Sequence, residues 1–150
     1  MLLSIIDDLI TDRSDADLVP GNPKGKYDYI DYNRVGEATN YVATEIGGLN
    51  ITAKTDWVRG DIPRDSQMTK YRTDVQKIVT RLAMDNELPI NNHDIATIQG
   101  ANQLEKALYD AYNLAIQLLR WHDVDEINET WEQLDEKAIL WSERFIKIIP

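Results

Sequence analysis

Two short patterns contain the side chains best suited to chemistry. The chain has two histidines, and an aspartate follows each of them, as His93-Asp94 and His122-Asp123. Such a pair can supply a base and the carboxylate that orients it, but neither pair has the spacing of a nucleophile or metal site. We therefore expect both histidines to lie at the surface or at helix ends.

Acidic residues near the N-terminus are the second candidate. They are Asp7, Asp8, Asp12, Asp15 and Asp17. Carboxylates bind hard cations, but this segment lacks the glycine and the distal glutamate of a helix–loop–helix calcium site. Phosphate-binding loops, zinc-protease motifs and nucleophile elbows are also absent from the sequence. We expect solvated carboxylates, and no catalytic residue, cofactor or metal site.

The charge balance narrows the range of partners. The 150 residues include 16 Lys and Arg against 26 Asp and Glu, which gives a net charge of -10. Phosphate recognition needs clustered cations, so we expect no nucleic-acid binding. The chain has no Cys, which excludes disulfides, thiolate nucleophiles and Cys-bearing zinc sites. The first ten residues are too short and too acidic for a membrane-spanning helix, so we expect no membrane insertion.

The pattern of apolar residues and breaks predicts a mainly α fold. We expect a helical bundle of three to four main helices, with an extended linker segment and a docking N-terminal helix, in a single domain spanning 1–150. The first main helix is predicted to begin at Asp31 as N-cap, with Ile30 and Val35 as a hydrophobic staple, and to end at Gly47. Gly36 inside it indicates that another backbone or a Trp packs closely there.

Three further elements follow in the chain. Residues 49–57 are predicted to form an extended linker that crosses the helices. The next helix should begin at Asp65 or Ser66. Its predicted apolar face consists of Met68, Tyr71, Val75, Ile78, Val79 and Leu82, and the residues predicted to face outwards are Arg64, Lys70, Arg72, Asp74, Lys77 and Arg81. A long helix should start at Asp94 or Thr97, and a separate one should span roughly 124–136.

Aromatic residues allow two interpretations. Trp57 and Ile62 are placed to fix the start of the second main helix, which is the core-packing interpretation. Alternatively, Tyr27, Tyr29, Tyr32 and Trp57 form a surface for a ligand.

The C-terminal part of the chain is strongly apolar. Either it completes the core or it is an interface, and we prefer an assembly extension over 122–150. The predicted interface residues are Trp131, Leu140, Trp141, Phe145, Ile146 and Ile149.

Four motifs in order carry a resemblance to a known family. They are TDRSDAD at 11–17, KGKYDYIDYNRVGEATNYVA at 24–43, KTDWVRGDIPRDSQMTKYRTDV at 54–75 and TIQGANQLEKALYDAYNLA at 97–115. The chain from about 11 to 121 resembles small proteins of phages and prophages of Gram-positive bacteria. The matching residues are Thr11, Asp12, Arg13, Ala16, Asp17, Asn33, Arg34, Val35, Lys54, Thr55, Asp56, Trp57, Asp61, Ile62, Pro63, Gln67, Met68, Ala101, Asn102 and Glu105. Two departures are the missing Pro-rich run before the last motif and the tail 122–150, which lies outside the match.

The resemblance implies a tail or host-adsorption module and no enzyme activity. We therefore expect a structural component of a phage tail or tail-like particle, near the baseplate or fibre attachment, located in the virion or particle. Its partners would be other particle proteins and further copies of itself as a homo-oligomer. Two alternatives remain: an aromatic-surface module that binds cell-wall carbohydrate in host attachment, and a small acidic regulatory or inhibitory protein.

Overall fold

The computed structural model describes the backbone of residues 3–128 and the side chains of residues 5–119. The fold is mainly α, as predicted, with helices α1 (Leu3–Asp7), α2 (Tyr29–Ile46), α3 (Asp65–Arg81) and α4 (Ile98–Asn128). Three short 3₁₀ turns lie at Asp15–Asp17, Pro23–Gly25 and Asn92–Ala96. The described part of the chain contains no strand, and no helix in it has the length and apolarity needed to cross a membrane.

The N-cap of α2 lies three residues before the predicted one. Asp28 is the N-cap, and its side chain accepts a hydrogen bond from the Ile30 N–H at 2.9 Å. Asp31 completes a capping box, because its Oδ2 accepts from the Asp28 N–H at 2.8 Å. The predicted staple is also wrong, since Ile30 is 55% exposed while Val35 is fully buried. The prediction of the helix end is confirmed, because Gly47 has the positive φ of 70° that favours glycine.

The starts of α3 and α4 lie near the predicted positions. Arg64 is the N-cap of α3, and the Gln67 side chain accepts from its backbone N–H at 2.8 Å. At the start of α4, Thr97 Oγ1 accepts from the Gly100 N–H at 3.0 Å, which confirms one of the two predicted caps. The break predicted near His122 is absent, and α4 continues to Asn128 because no Gly or Pro interrupts this stretch. The predicted helix over 124–136 is therefore not separate where the structure describes it.

Helices α2 and α4 run in the same direction. The Arg34 side chain contacts Glu105, and seven residues further along both helices the Tyr41 ring lies 5.7 Å from the Tyr112 ring. Equal steps along both helices can preserve contact only if the helices are parallel. The two contacts share a sequence separation of 71 residues, which sets the register between these helices.

Helix α3 is parallel to α2 and α4. Near the starts of α2 and α3 the rings of Tyr32 and Tyr71 meet edge to face, with centroids 5.9 Å apart. Near their ends, Arg81 lies beside Gly48. Because all three long helices point the same way, each connection must return along the bundle before the next helix starts.

One apolar core lies between these elements. It takes in Ile6 of α1, which is 2% exposed, so the prediction of a docking N-terminal helix is confirmed. The predicted apolar face of α3 is also confirmed, and only Leu82 in that set is partly rather than fully buried.

Two side chains of the predicted α3 region lie elsewhere than expected. Asp74 was expected to face outwards, but it is 1% exposed. It is paired with Lys70 and, at 3.5 Å, with Lys77, whose amino groups reach down to it from the surface. Ile62 was expected to fix the start of α3, but it is 87% exposed, and Trp57 alone takes that buried position.

Candidate functional site

A buried network of four charged side chains joins the N-terminal segment to α2 and α4. Arg13 Nη2 lies 3.0 Å from Asp31 Oδ1 and 2.6 Å from Glu105 Oε1. Arg34 donates to the same two carboxylates. Its Nε binds Glu105 Oε2 at 3.1 Å, and its Nη2 binds both Glu105 Oε1, at 2.9 Å, and Asp31 Oδ1. Two guanidinium groups and two carboxylates thus neutralise one another.

Burial makes this network electrostatically strong. The side chain of Glu105 has 0% relative exposure, that of Arg13 has 3%, and that of Arg34 has 14%. Burial lowers the pKa of the Arg34 guanidinium, but hydrogen bonds and attraction from Glu105 and Asp31 outweigh this and raise its pKa overall. Removing one partner would leave an uncompensated charge in the interior, which is costly.

Backbone groups also bind the network. Glu105 Oε2 also accepts from the Ile10 N–H, and Arg13 Nη1 donates to the Ile10 carbonyl at 2.7 Å. Asn102, one turn before Glu105 on α4, binds both the N–H and the carbonyl of the Arg13 backbone. Its Oδ1 accepts from the Arg13 N–H at 3.0 Å, and its Nδ2 donates to the Arg13 carbonyl at 2.9 Å. The N-terminal segment is therefore held to α4 by charge and by backbone pairing.

Two asparagines on α2 hold the returning segment 49–57 in the same way. Asn40 Oδ1 accepts from the Ala53 N–H at 2.7 Å, and its Nδ2 donates to the Ala53 carbonyl at 3.0 Å. Asn33 repeats this arrangement with Trp57, at 2.8 and 2.9 Å. An extended chain without a strand partner has free backbone donors and acceptors, and these amides satisfy those of Ala53 and Trp57. The predicted extended linker is confirmed, and the asparagines explain how it packs without a sheet.

Gly36 lies between these two asparagines on α2. A Cβ added at Gly36 would lie 2.3 Å from the Lys54 carbonyl oxygen, so only glycine lets the two backbones approach this closely. The predicted close packing at Gly36 is confirmed, and its partner is the backbone of the returning segment.

The predicted aromatic surface contains one buried residue, Trp57, and three partly buried ones, Tyr27, Tyr29 and Tyr32. Trp57 is 5% exposed, and its ring centroid lies 5.4 Å from that of Tyr32. The Tyr27 ring meets the Tyr32 ring edge to face at 5.0 Å, and the Tyr27 hydroxyl lies 3.3 Å from the Tyr71 hydroxyl. Burial raises the pKa of both Tyr27 and Tyr71 above the usual range. Tyr29 is half-buried against the same core. Trp57 is thus a core residue, and the three tyrosines of this set are partly buried beside it.

The other candidates for chemistry do not form a site in the described residues. His93 is exposed in the turn before α4. Asp17 accepts from the Ser14 backbone N–H at 2.8 Å, and this hydrogen bond lowers the pKa of Asp17. Lys24 lies 3.0 Å from Asp12 and 3.7 Å from Asp17. Among the side chains that the structure describes, no three His, Asp or Glu residues are grouped to hold a metal ion.

One cavity borders the network. Arg13 and Tyr27 line it, together with a mostly apolar wall formed by Leu18, Ala96, Thr97, Ile98 and Ala101 and by the segment 25–26. This lining contains no carboxylate and no histidine. Arg13 is already neutralised by Asp31 and Glu105, so it does not offer a free charge to a ligand in this cavity.

Sequence reasoning did not predict the network or the asparagine contacts. Arg13, Arg34 and Glu105 and the amides Asn33 and Asn102 were noted only as residues matching the four motifs. The signal was that these charged and amide residues recur in three of the four motifs of the resemblance, although the motifs lie far apart in the chain. The predicted interface residues Trp131, Leu140, Trp141, Phe145, Ile146 and Ile149 lie outside the described residues.

The chain was compared with protein-family models, with curated proteins and with solved structures. None of the three comparisons found a match. The resemblance to phage and prophage proteins therefore depends on the motif residues alone.

Proposed function

We propose that this protein is a non-enzymatic structural component of a phage tail or phage-tail-like particle, positioned near the baseplate or the fibre attachment. Its partners would be other proteins of the particle and further copies of the chain, and it would be located in the virion or particle. The motif resemblance supplies the setting for this proposal, and the geometry supports the structural role.

The observation that carries the proposal is how the motif residues are used. Arg13, Arg34 and Glu105 come from three of the four motifs, and both arginines bind Glu105 inside the fold. Asn33 and Asn102 hold backbone segments in place rather than facing a cleft. Side chains that bind one another and the neighbouring backbone build a rigid framework inside the fold. Such a framework suits a subunit that must keep its shape within a particle.

The charge distribution is compatible with assembly through protein contacts. The whole chain carries a net charge of -10, while the network contributes two positive and two negative charges that cancel. The excess negative charge therefore lies outside the network, where it can steer an encounter with a basic surface of a particle protein.

The direct test is to follow the protein during particle assembly. Particles from the host that encodes the chain would be purified on a density gradient and labelled with antibodies for electron microscopy. We expect the label at one end of the tail, and we expect particles made without the gene to lack the baseplate or its fibres. A protein found only in the unassembled fraction, with complete particles formed in its absence, would overturn the proposal.

A matched pair of variants makes this test specific to the framework. Glu105→Gln removes the charge at the centre of the network, whereas Glu87→Gln makes the same chemical change at an exposed position in the loop after α3. We expect reduced incorporation of the first variant and normal incorporation of the second.

A further inference from the structure

Because α2, α3 and α4 are parallel, the starts of all three helices lie at one end of the bundle. They begin at Tyr29, Asp65 and Ile98. The loops that lead into the helices therefore meet at this end, and their side chains form its surface. We call it the starting end, and it comprises residues 17–31, 57–66 and 89–98.

The starting end carries most of the exposed apolar side chains. The described part of the chain has eight large apolar residues that are clearly exposed, and six of them lie here. Each of the six is more than half exposed: Leu18, Val19, Ile30, Val58, Ile62 and Ile90. The largest values are 87% for Ile62 and 80% for Ile90. Apolar groups gathered in this way mark a surface that binds another molecule.

Contacts with the helix starts fix the positions of two of these residues. Leu18 lies beside the start of α4, because it lines one cavity together with Ile98. Ile90 lies beside the first turns of α3, because Asn92, two residues later, donates from Nδ2 to Asp65 Oδ1 at 2.7 Å. The exposed apolar side chains therefore extend from the start of α4 to the start of α3.

The turn that carries Val58 and Ile62 is rigid. Asp61 Oδ2 accepts from the Val58 N–H at 2.9 Å, and the Asp61 N–H donates to the Val58 carbonyl at 3.0 Å. Trp57, the preceding residue, is bound through its backbone to Asn33 of α2. These two exposed side chains are thus held in place before any partner arrives, so little conformational freedom is lost when they bind.

Charges on the same turn are balanced and remain available. Arg59 and Arg64 are exposed, and neither guanidinium has an ion-pair or hydrogen-bond partner among the described residues. Asp61 and Asp65 are also exposed, and each accepts hydrogen bonds without a cation beside it. Asp28 and Asp65 in addition offset the partial positive charge of the helix starts.

This balance makes the starting end complementary to itself. The whole chain carries a net charge of -10, so two copies that approach by other surfaces repel each other. Two copies that approach by the starting end bring two free cations of each against two free carboxylates of the other. Charge complementarity of this kind selects the partner, and here the partner it fits is a second copy.

We propose that the starting end joins two copies of this chain in a two-fold contact. Ile62 lies at its centre with Val58 and Ile90, and Arg59 and Arg64 of each copy face the aspartates of the other. Because the same surface is used on both copies, the contact closes as a dimer. This inference rests on the proposed assembly role and deepens it by naming the surface through which copies of the chain meet.

Light scattering on the full chain tests the stoichiometry and the surface together. We expect twice the 17.3 kDa of one chain. Ile62→Asp should weaken dimerisation by about tenfold or more, because the contact would then bury a carboxylate without a partner. Arg59→Glu combined with Arg64→Glu should also weaken it, because four like charges then meet. A wild-type monomer would overturn the proposal, as would an unchanged dimer in Ile62→Asp.

Tyr109→Asp is the matched control for Ile62→Asp. It places the same charge at another exposed apolar position, on the side of α4, and should leave the dimer intact. Ile62 makes few contacts within the fold, so its variant should remain folded, and slow amide exchange at the Trp57 N–H would show this. Loss of the dimer in Tyr109→Asp would overturn the assignment of the contact to the starting end.

Distances between spin labels test the arrangement of the two copies. Because the chain has no Cys, a label can be attached at Ser66→Cys or at Thr80→Cys, which are both exposed on α3. These positions are about four turns, or roughly 21 Å, apart along the helix. We expect the two Ser66 labels of a dimer to be close, and the two Thr80 labels to be further apart by up to about 42 Å. A shorter distance at Thr80 than at Ser66 would overturn the contact.

Other occupants of the starting end give different results. A species whose mass keeps growing with protein concentration would overturn the closed two-fold contact. A monomer that sediments with phosphatidylglycerol vesicles, and loses this binding in Ile62→Asp, would overturn the second copy in favour of a lipid surface.

These measurements use purified protein, so they separate the inference from the proposed function. A dimer that is lost in Ile62→Asp but never enters a particle would overturn only the particle role. A chain found in the particle whose Ile62→Asp variant still dimerises would overturn only this contact.

Discussion

Glu105→Gln is the perturbation that most directly tests the buried network. The change keeps the size of the side chain but removes its charge, so two guanidinium groups then face only Asp31. It also replaces one acceptor oxygen with an NH₂ group. Since both Glu105 oxygens accept hydrogen bonds from donors, one donor is then opposed by another donor. Breaking a buried ion pair in this way costs about 3–5 kcal/mol.

We expect the free energy of unfolding to fall by that amount. Small domains have about 5–15 kcal/mol in total, so the variant should unfold at a much lower urea concentration. The measurement is equilibrium unfolding in urea, followed both by circular dichroism and by Trp fluorescence. Glu87→Gln, which is exposed, should change the free energy by less than about 0.5 kcal/mol.

A second variant tests whether the four charges act as one unit. In Arg13→Gln combined with Glu105→Gln, a cation and an anion are both neutralised, so the loss should be smaller than the sum of the two single losses. A cost below about 1 kcal/mol for Glu105→Gln, or strictly additive losses, would refute the reasoning that this cluster is desolvated and mutually dependent.

Three further outcomes follow from other contacts. Helix propensity alone favours Gly36→Ala, but the clash with the Lys54 carbonyl should make it destabilising by about 1–3 kcal/mol in urea unfolding. Asn33→Ala should speed hydrogen exchange at the Trp57 N–H and cost about 1–3 kcal/mol, because both backbone groups of Trp57 lose their partner. Burial raises the pKa of Tyr71 in the folded state, so the unfolded chain releases this proton first as the pH rises. Stability should be fully present below about pH 10 and fall above it, as measured by urea unfolding and tyrosinate absorbance.

Matched variants control each of these outcomes. Glu37→Ala is next to Gly36 on an exposed face of α2, and Asn50→Ala removes an exposed amide at the start of the returning segment. Both should stay within about 0.5 kcal/mol of the parent protein. Tyr71→Phe should reduce the loss of stability at alkaline pH, whereas Tyr109→Phe, at a 43% exposed position, should leave it unchanged. A parent protein whose stability is flat through pH 10 would contradict the alkaline prediction.

Local features of the sequence were enough to predict most of the helix positions. Gly47 stops α2 and Thr97 caps α4, and both act through backbone groups within a few residues. The apolar face of α3 follows from side-chain spacing alone. Where two local signals compete, the prediction fails: Asp28 and Asp31 are both able to cap α2, and the first does so while the second completes the capping box.

Long-range pairing could not be predicted in this way. Arg13 and Glu105 are 92 residues apart, and nothing near either residue indicates that the other is its partner. The outward position predicted for Asp74 was wrong, because a carboxylate is normally expected at the surface. Asp74 can be buried because the long side chains of Lys70 and Lys77 extend to it and neutralise its charge. The aromatic cluster was ambiguous for a related reason, since burial of Trp57 depends on how the segment 49–57 returns across α2.

The parallel direction of the three long helices has a consequence for how the chain is made. Antiparallel neighbours in a bundle can pair as soon as each short hairpin is synthesised, but here each helix must wait for a full return segment. The contact between Arg13 and Glu105 closes only after α4 has been translated, and contacts so distant in the chain slow folding. We expect nascent chains that stop before Glu105 to expose Val35, Val42 and Ile78 and to depend on chaperones until the last helix arrives.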